Sequence, residues 1–331
     1  MVNRPVLQPT DIGLVLSYRC TNACKHCVYN CGPYWKEWMP EVEAANALGM
    51  IKTALPGAQV HITGGEPFLN FPLLLATTRI AATLELPVYV ETNASWAVEP
   101  EIVKSRFEEL HEAGLQAVLI SCSPFHAESI PLRRTLMAID QAIMTFGMEH
   151  VFVFLAEWID QIWRFGDRTP VALQHYVDSY GFEPAGLLFW DGYSLISGGR
   201  AGYALGAYTE RLPAHEFQQT NCRDELLYAS HSHFDCYGNY ISGFCAGISL
   251  GPWKNLLTIA AAYRQGEYPD IIRLLIEGGP YALFEVASWH GYQPLAKGYA
   301  GKCHLCTDVR KYLVHSHGFE LLQPRLFYEM I

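Results

Sequence analysis

Four cysteines fall within twelve positions of the segment LSYRCTNACKHCVYNCGP: Cys20, Cys24, Cys27 and Cys31, spaced C-x3-C-x2-C-x3-C. Thiolates crowded this closely hold metal. Structural zinc draws its ligands in pairs from two separate places. A single compact thiolate group suits an iron–sulfur cluster better. Four thiolates would close a 4Fe–4S cluster as an ordinary electron carrier. Three, at Cys20, Cys24 and Cys27, would leave one iron open to a further ligand. The segment HITGGEPFLNFP bears on that choice. Gly64 and Gly65 permit a close approach to the backbone, and Glu66, before Pro67, brings a carboxylate for which a plain electron carrier has no use.

A second group of five cysteines lies near the C-terminus: Cys222, Cys236, Cys245, Cys303 and Cys306. Cys303 and Cys306 form a C-x2-C pair, the compact half of a metal site, and Cys222 and Cys245 could complete it. Zinc stays open here, since such pairs also suit zinc. Between them, DCYGNYISGFC reads as a β-hairpin turning at Gly238-Asn239.

Regular elements must position these groups. Strand candidates are 12–18, 58–63, 86–92, 116–121, 150–156 and 185–191, the last being AGLLFWD. Helical stretches lie between them at 40–55, 72–84, 99–113, 130–147 and 169–180. This β/α alternation predicts an α/β fold with a parallel sheet. Six strands are too few for the eight-unit barrel, so the expectation is a partial (β/α)6 TIM-type barrel with ligands at the C-terminal strand ends. Both cysteine loop and GGE segment follow strands directly. The alternation stops after SGGRAG (197–202), and the remainder reads as turn-rich. A boundary near 205 gives a barrel domain over 1–205 and a small cluster-binding domain over 206–331.

Composition excludes other classes. The chain has 331 residues, 17% of them charged, and a net charge of −10 with no long basic run. Broad nucleic-acid binding is therefore not expected. No apolar run reaches membrane-spanning length. The N-terminus MVNRPVLQPTDIG has Pro5, Pro9 and Asp11 where a signal peptide needs an unbroken apolar stretch. A cytoplasmic protein is expected, and there ten cysteines serve metals or redox chemistry rather than disulfides.

Over about its first 200 residues the sequence resembles the radical S-adenosylmethionine (SAM) superfamily. The triad Cys20, Cys24 and Cys27 is similar to its signature, and GGEP at 64–67 to its second motif. The resemblance implies that the open iron chelates the amino and carboxylate groups of SAM. An electron, from a flavodoxin- or ferredoxin-type donor, then yields methionine and a 5′-deoxyadenosyl radical. It further implies that GGEP receives the methionine amino group, that Tyr29 packs under the adenine, and that Arg200 in GGRA meets the SAM carboxylate. Thr92, Asn93, Ser121 and Ser123 stand at strand ends, where they could bond the ribose or methionine or serve as turns and caps. His126 has the same two readings. Cys122 reads as core.

The C-terminal segment resembles the shortened SPASM, or twitch, extension of these enzymes. That implies one auxiliary 4Fe–4S cluster on Cys222, Cys245, Cys303 and Cys306, with Gly238 farther from Cys245 than usual. Cys236, at the hairpin turn, is then the spare thiol. The resemblance extends to peptide epimerases, in which a cysteine returns a hydrogen atom to a substrate radical, so Cys236 and Cys31 are the candidate donors. The expected substrate is a ribosomally made peptide, altered by epimerisation, thioether formation or carbon–carbon crosslinking. A small molecule of cofactor biosynthesis is the alternative substrate. A non-catalytic iron–sulfur electron-transfer protein is the alternative of another class.

Overall fold

The computed structural model describes residues 6–316 and 318–331. The chain divides into two units. One comprises residues 11–24 and 31–189, the other 6–10, 25–30 and 190–331.

The first unit runs β1 (Asp11–Val15), α1 (Glu41–Ala54), β2 (Gln59–Thr63), α2 (Phe71–Thr83), β3 (Val88–Thr92), α3 (Pro100–Glu112), β4 (Ala117–Ser121), α4 (Pro124–Ala127), α5 (Leu132–Phe146), β5 (Val151–Phe154), α6 (Trp158–Trp163), α7 (Leu173–Tyr180) and α8 (Phe182–Trp190). Its strands stand in the order β5-β4-β3-β2-β1, each pair parallel. The sheet is open. Register aligns Leu14, Ile62, Val90 and Val118 on one face, and all four are fully buried. Helix α1 packs on β1, α2 on β2 and β3, and α5 on β4 and β5. The other face is more polar, with His61, Thr63, Tyr89 and Glu91, and it exposes Phe152 and Phe154 of β5. β3, β4 and β5 show the period-2 pattern of a sheet with one covered face, whereas β1 and β2 are buried on both.

The α/β class and the parallel sheet agree with the sequence pattern, but the sixth strand does not form. AGLLFWD belongs to α8. Ala185, Gly186 and Phe189 are its buried positions, while Leu187 is exposed. That is a helical spacing, and a short apolar run does not by itself separate strand from buried helix.

The second unit contains α9 (Ala201–Ala204), α10 (Arg223–Leu227), β6 (His231–Asp235), β7 (Tyr240–Ser242), α11 (Leu256–Arg264), α12 (Asp270–Trp289), α13 (Lys302–Leu313) and α14 (Arg325–Glu329). β6 and β7 form the expected antiparallel hairpin. The stretch is less turn-rich than its composition suggests, because α12 packs along α13. A kink at Gly279, φ 64°, interrupts α12 just before Pro280. A Cβ there would lie 2.1 Å from the Thr220 carbonyl oxygen, so only glycine fits the approach. None of the described helices is long and apolar enough to cross a membrane.

Candidate functional site

The first unit builds its ligand edge from the ends of β1, β2 and β3. The base of the cysteine loop is closed by backbone bonds from Cys20 N to Gly32 O (3.1 Å) and from Gly32 N to Tyr18 O (3.1 Å). The GGE segment lies against the same stretch. Gly65 N donates to Ser17 O (2.8 Å) and Glu66 N to Arg19 O (2.9 Å). A Cβ on Gly64, φ 145°, would fall 2.3 Å from Ser17 O, and one on Gly65 2.1 Å from Arg19 O. The close approach that these glycines permit is thus made by the chain's own backbone, immediately before the first cysteine.

Glu66 is 1% exposed and ties this edge together. Its carboxylate accepts from Thr92 Oγ1 (2.9 Å), Asn93 N (2.8 Å) and Phe68 N (3.2 Å). Burial pushes its pKa up to about 7 against the pull of these donors and of Arg106. Asn93 continues the network with a bond from Nδ2 to Cys20 Sγ (3.3 Å), and Asn22 N donates to the same sulfur (3.4 Å). Two N–H donors suit a ligating thiolate. Cys31 is buried at the end of the loop. Ser121 closes β4, and Ser123 caps α4, its Oγ meeting His126 N (3.3 Å) and Nδ1 (2.7 Å). His126 is neutral, since burial lowers its pKa to about 4. Burial raises the Cys122 thiol to about 12, as suits a core position.

In the second unit the GGRA segment meets the third cysteine. Arg200 N donates to Cys27 O (3.2 Å), and a Cβ on Gly199 would lie 2.3 Å from Val28 O. The Arg200 guanidinium donates to Asn30 Oδ1 (2.6 Å), whose amide nitrogen is anchored on Phe327 O (2.9 Å). Tyr29 directs its hydroxyl to His233 Nδ1 (2.6 Å) and Gly243 O (3.0 Å).

The same unit gathers four C-terminal cysteines. Cys222, Cys245, Cys303 and Cys306 line one small cavity. Cys222 caps α10, its N–H held by Leu275 O (2.9 Å). Cys245 follows β7 in a turn closed by its N–H to Ser242 O (3.1 Å). Cys303 and Cys306 face the cavity from the first turn of α13, three residues apart on one helix face. Burial raises the thiol of Cys303 to about 11 and those of Cys222 and Cys245 further, so ionised ligands here require a metal. An all-sulfur donor set suits iron–sulfur clusters or zinc. Cys236 is not part of the cavity wall. It stands in the hairpin turn, where Asp235 Oδ1 receives the N–H groups of Tyr237 (3.0 Å) and Asn239 (2.8 Å).

One cavity-lining residue gave no sequence signal. Arg310, 4% exposed, lines the same cavity from the third turn of α13. A lone arginine in a helix does not announce burial.

A parallel β/α sheet with a cysteine loop and a glycine-rich turn at its strand ends defines a class. Residues 14–139 match the family model described as the radical SAM superfamily. The Bacillus subtilis (strain 168) protein YydG, whose name ties it to peptide biosynthesis, is 26% identical over 121 residues. That match covers 35% of this chain, and the chain spans 36% of that relative's length. Among solved structures, BtrN in complex with AdoMet and 2-DOIA aligns over 82% of this chain and 89% of its own, with 13% identity and a TM-score of 0.47. The enzyme anSMEcpe with bound AdoMet aligns over 97% and 95%, with 11% identity and a TM-score of 0.47. Neither structural likeness assigns a substrate or a chemistry.

Proposed function

We propose that this chain is a radical SAM enzyme that abstracts a hydrogen atom from a ribosomally made peptide and alters it by epimerisation, thioether formation or carbon–carbon crosslinking. The observation that carries this reading is the family match over 14–139, which takes in the cysteine triad and GGEP together. The similarity to YydG supports a peptide substrate.

Cys20, Cys24 and Cys27 would hold the SAM-binding cluster, and Cys222, Cys245, Cys303 and Cys306 an auxiliary one. SAM bound to a reduced 4Fe–4S cluster supplies a 5′-deoxyadenosyl radical, the electron coming from a flavodoxin- or ferredoxin-type donor. The chain's own residues prepare that site. Asn93 and Asn22 direct N–H donors at Cys20 Sγ, which favours the ligating thiolate. Glu66 fixes the Thr92–Asn93 backbone beside it. Gly64 and Gly65 present their turn for the methionine amino group. Arg200, held by its bond to Asn30, is the proposed partner of the SAM carboxylate. Tyr29, Ser121 and Ser123 complete the proposed contacts.

Cys236 is the preferred hydrogen-atom donor. It lies outside the quartet's cavity wall and is partly exposed, whereas Cys31 is buried. Its S–H bond breaks as a C–H bond forms on the substrate radical. The sulfur then regains one electron from the flavodoxin- or ferredoxin-type donor and one proton from solvent.

The test is anaerobic reconstitution with iron and sulfide, followed by incubation with SAM and dithionite. The expected result is 5′-deoxyadenosine in amounts that rise when the precursor peptide is added. Cluster formation without any SAM cleavage would overturn the reading.

A further inference from the structure

Arg310 poses a problem of charge. Its side chain is buried in the wall of the four-cysteine cavity. Nε donates to Cys306 O (3.2 Å), Nη1 to Ala246 O (2.9 Å) and Tyr328 Oη (2.5 Å), and Nη2 to Thr307 Oγ1 (3.3 Å). Every acceptor is neutral. Tyr328 stays a phenol, because its own hydroxyl donates to Gly247 O (2.5 Å). Among the described residues no carboxylate pairs with this guanidinium. The other cation beside the quartet is different: Lys302 is paired with Glu225. A buried cation with no counter-charge costs several kcal/mol, so the fold must bring an anion to Arg310. The groups that share its cavity wall and can carry a negative charge are the four cysteines Cys222, Cys245, Cys303 and Cys306. With the phenol neutral, the anion is sulfur.

We infer that Arg310 is the internal counter-cation of the group held by Cys222, Cys245, Cys303 and Cys306, and that it raises the reduction potential of that group. This rests on the proposed reading that the quartet holds a 4Fe–4S cluster. Four thiolates on such a core carry a net charge of about −2, and about −3 after uptake of one electron; net charge is one of the quantities that set cluster potentials. A fixed positive charge favours the more negative form. Arg310 is also a positioning residue, because it bonds the carbonyl of Cys306 and that of Ala246, next to Cys245.

The experiment uses the full chain with Cys20, Cys24 and Cys27 replaced by Ala, so that the quartet's cluster alone is observed. This parent and its Arg310→Gln and Arg310→Lys variants are reconstituted anaerobically with iron and sulfide. Each is then titrated with dithionite and mediators and followed by EPR. Gln should keep the iron, but its ratio of reduced to oxidised cluster at fixed potential should fall at least about tenfold, equivalent to about 59 mV for a one-electron couple. Lys, which keeps the charge, should stay within about threefold of the parent. A Gln variant with the parent's ratio overturns the inference. If Gln fails to fold, Lys decides alone: a parent-like ratio supports the charge role, and a fall as large as tenfold, or loss of iron, overturns it in favour of the guanidinium's shape. A parent that takes up zinc or no iron overturns the auxiliary-cluster reading itself, and the Arg310 inference with it.

Discussion

The cysteine loop at 20–31 and the C-terminal quartet offer the same donor atom in contrasting settings. The loop's candidate ligands are close in sequence, and its base is pinned by backbone bonds between residues 18–20 and 32. Cys20 Sγ meets two neutral N–H donors. The quartet draws on a helix cap, a turn after β7 and the first turn of α13, and a buried guanidinium lies in its wall. One is a local loop that the strand ends hold open. The other is a core, in which the proposed metal would take the place of apolar packing beside a buried charge. The loop should therefore survive without its metal, and the quartet should not.

The largest effect tests the loop. Replacing Cys20, Cys24 and Cys27 together with Ala should abolish 5′-deoxyadenosine formation and remove about half the iron, with little change in melting temperature. Iron analysis, product chromatography and circular dichroism check this. Retained SAM cleavage would break the assignment of the triad, and a collapsed fold would break the contrast. Cys31→Ala should leave this cluster in place.

Next comes the quartet. Cys303→Ala with Cys306→Ala should remove the auxiliary metal and destabilise the second unit by several kcal/mol, because metal binding there is coupled to folding and Arg310 loses its counter-charge. Limited proteolysis should cut between 206 and 331 while part of the SAM binding persists. A variant as protease-resistant as the parent would show that the cavity does not depend on its metal.

A smaller effect is expected at Glu66. In Glu66→Gln the amide NH2 must face one of the three donors now bonded to the carboxylate, at a cost of about 1–3 kcal/mol. The pH dependence is the sharper readout. Glu66 is held at about 7 in the fold, against 4.5 when unperturbed. Below 4.5 both states are protonated and the group contributes nothing to pH dependence. As pH rises through the window up to 7, the unfolded chain releases its proton while the folded chain keeps it. Stability therefore falls as pH rises through that window, by about 3 kcal/mol in all. Glu66→Gln should lack this slope in denaturant titrations of the metal-free protein between pH 5 and 8. An identical slope in the variant would assign the pH dependence to another group.

The smallest structural effect is at Cys236. Cys236→Ala should keep both clusters and SAM cleavage, while product falls or changes. In deuterated water the parent should place solvent deuterium on the product carbon and the variant should not. Loss of iron would instead make Cys236 a ligand. Unchanged product and unchanged deuterium uptake would remove it from the chemistry.

The five parallel strands and the helices between them were legible because short apolar segments alternate with longer helical ones along the chain. AGLLFWD reads as a strand because a short apolar run, here 185–190, satisfies both periods until packing decides. The glycines at 64 and 65 were legible as points of close approach. The partner in that approach, the backbone of residues 17–19, was not, since it lies more than forty positions away in sequence. Asn93 reads from sequence as either a ligand contact or a turn residue, and its amide meets the sulfur of Cys20, which no local pattern records.

Residue type and spacing by themselves determined the thiolate chemistry, the strand-end location of both motifs and the parallel β/α class, because each is encoded within a few turns of chain. The resemblance already singled out four of the five C-terminal cysteines; the tertiary structure alone decided that these four share a cavity wall and that Arg310 is buried beside them without a carboxylate. Those are outcomes of burial. The cost of desolvating a charge depends on every element packed around it, and no local pattern of residues records that sum.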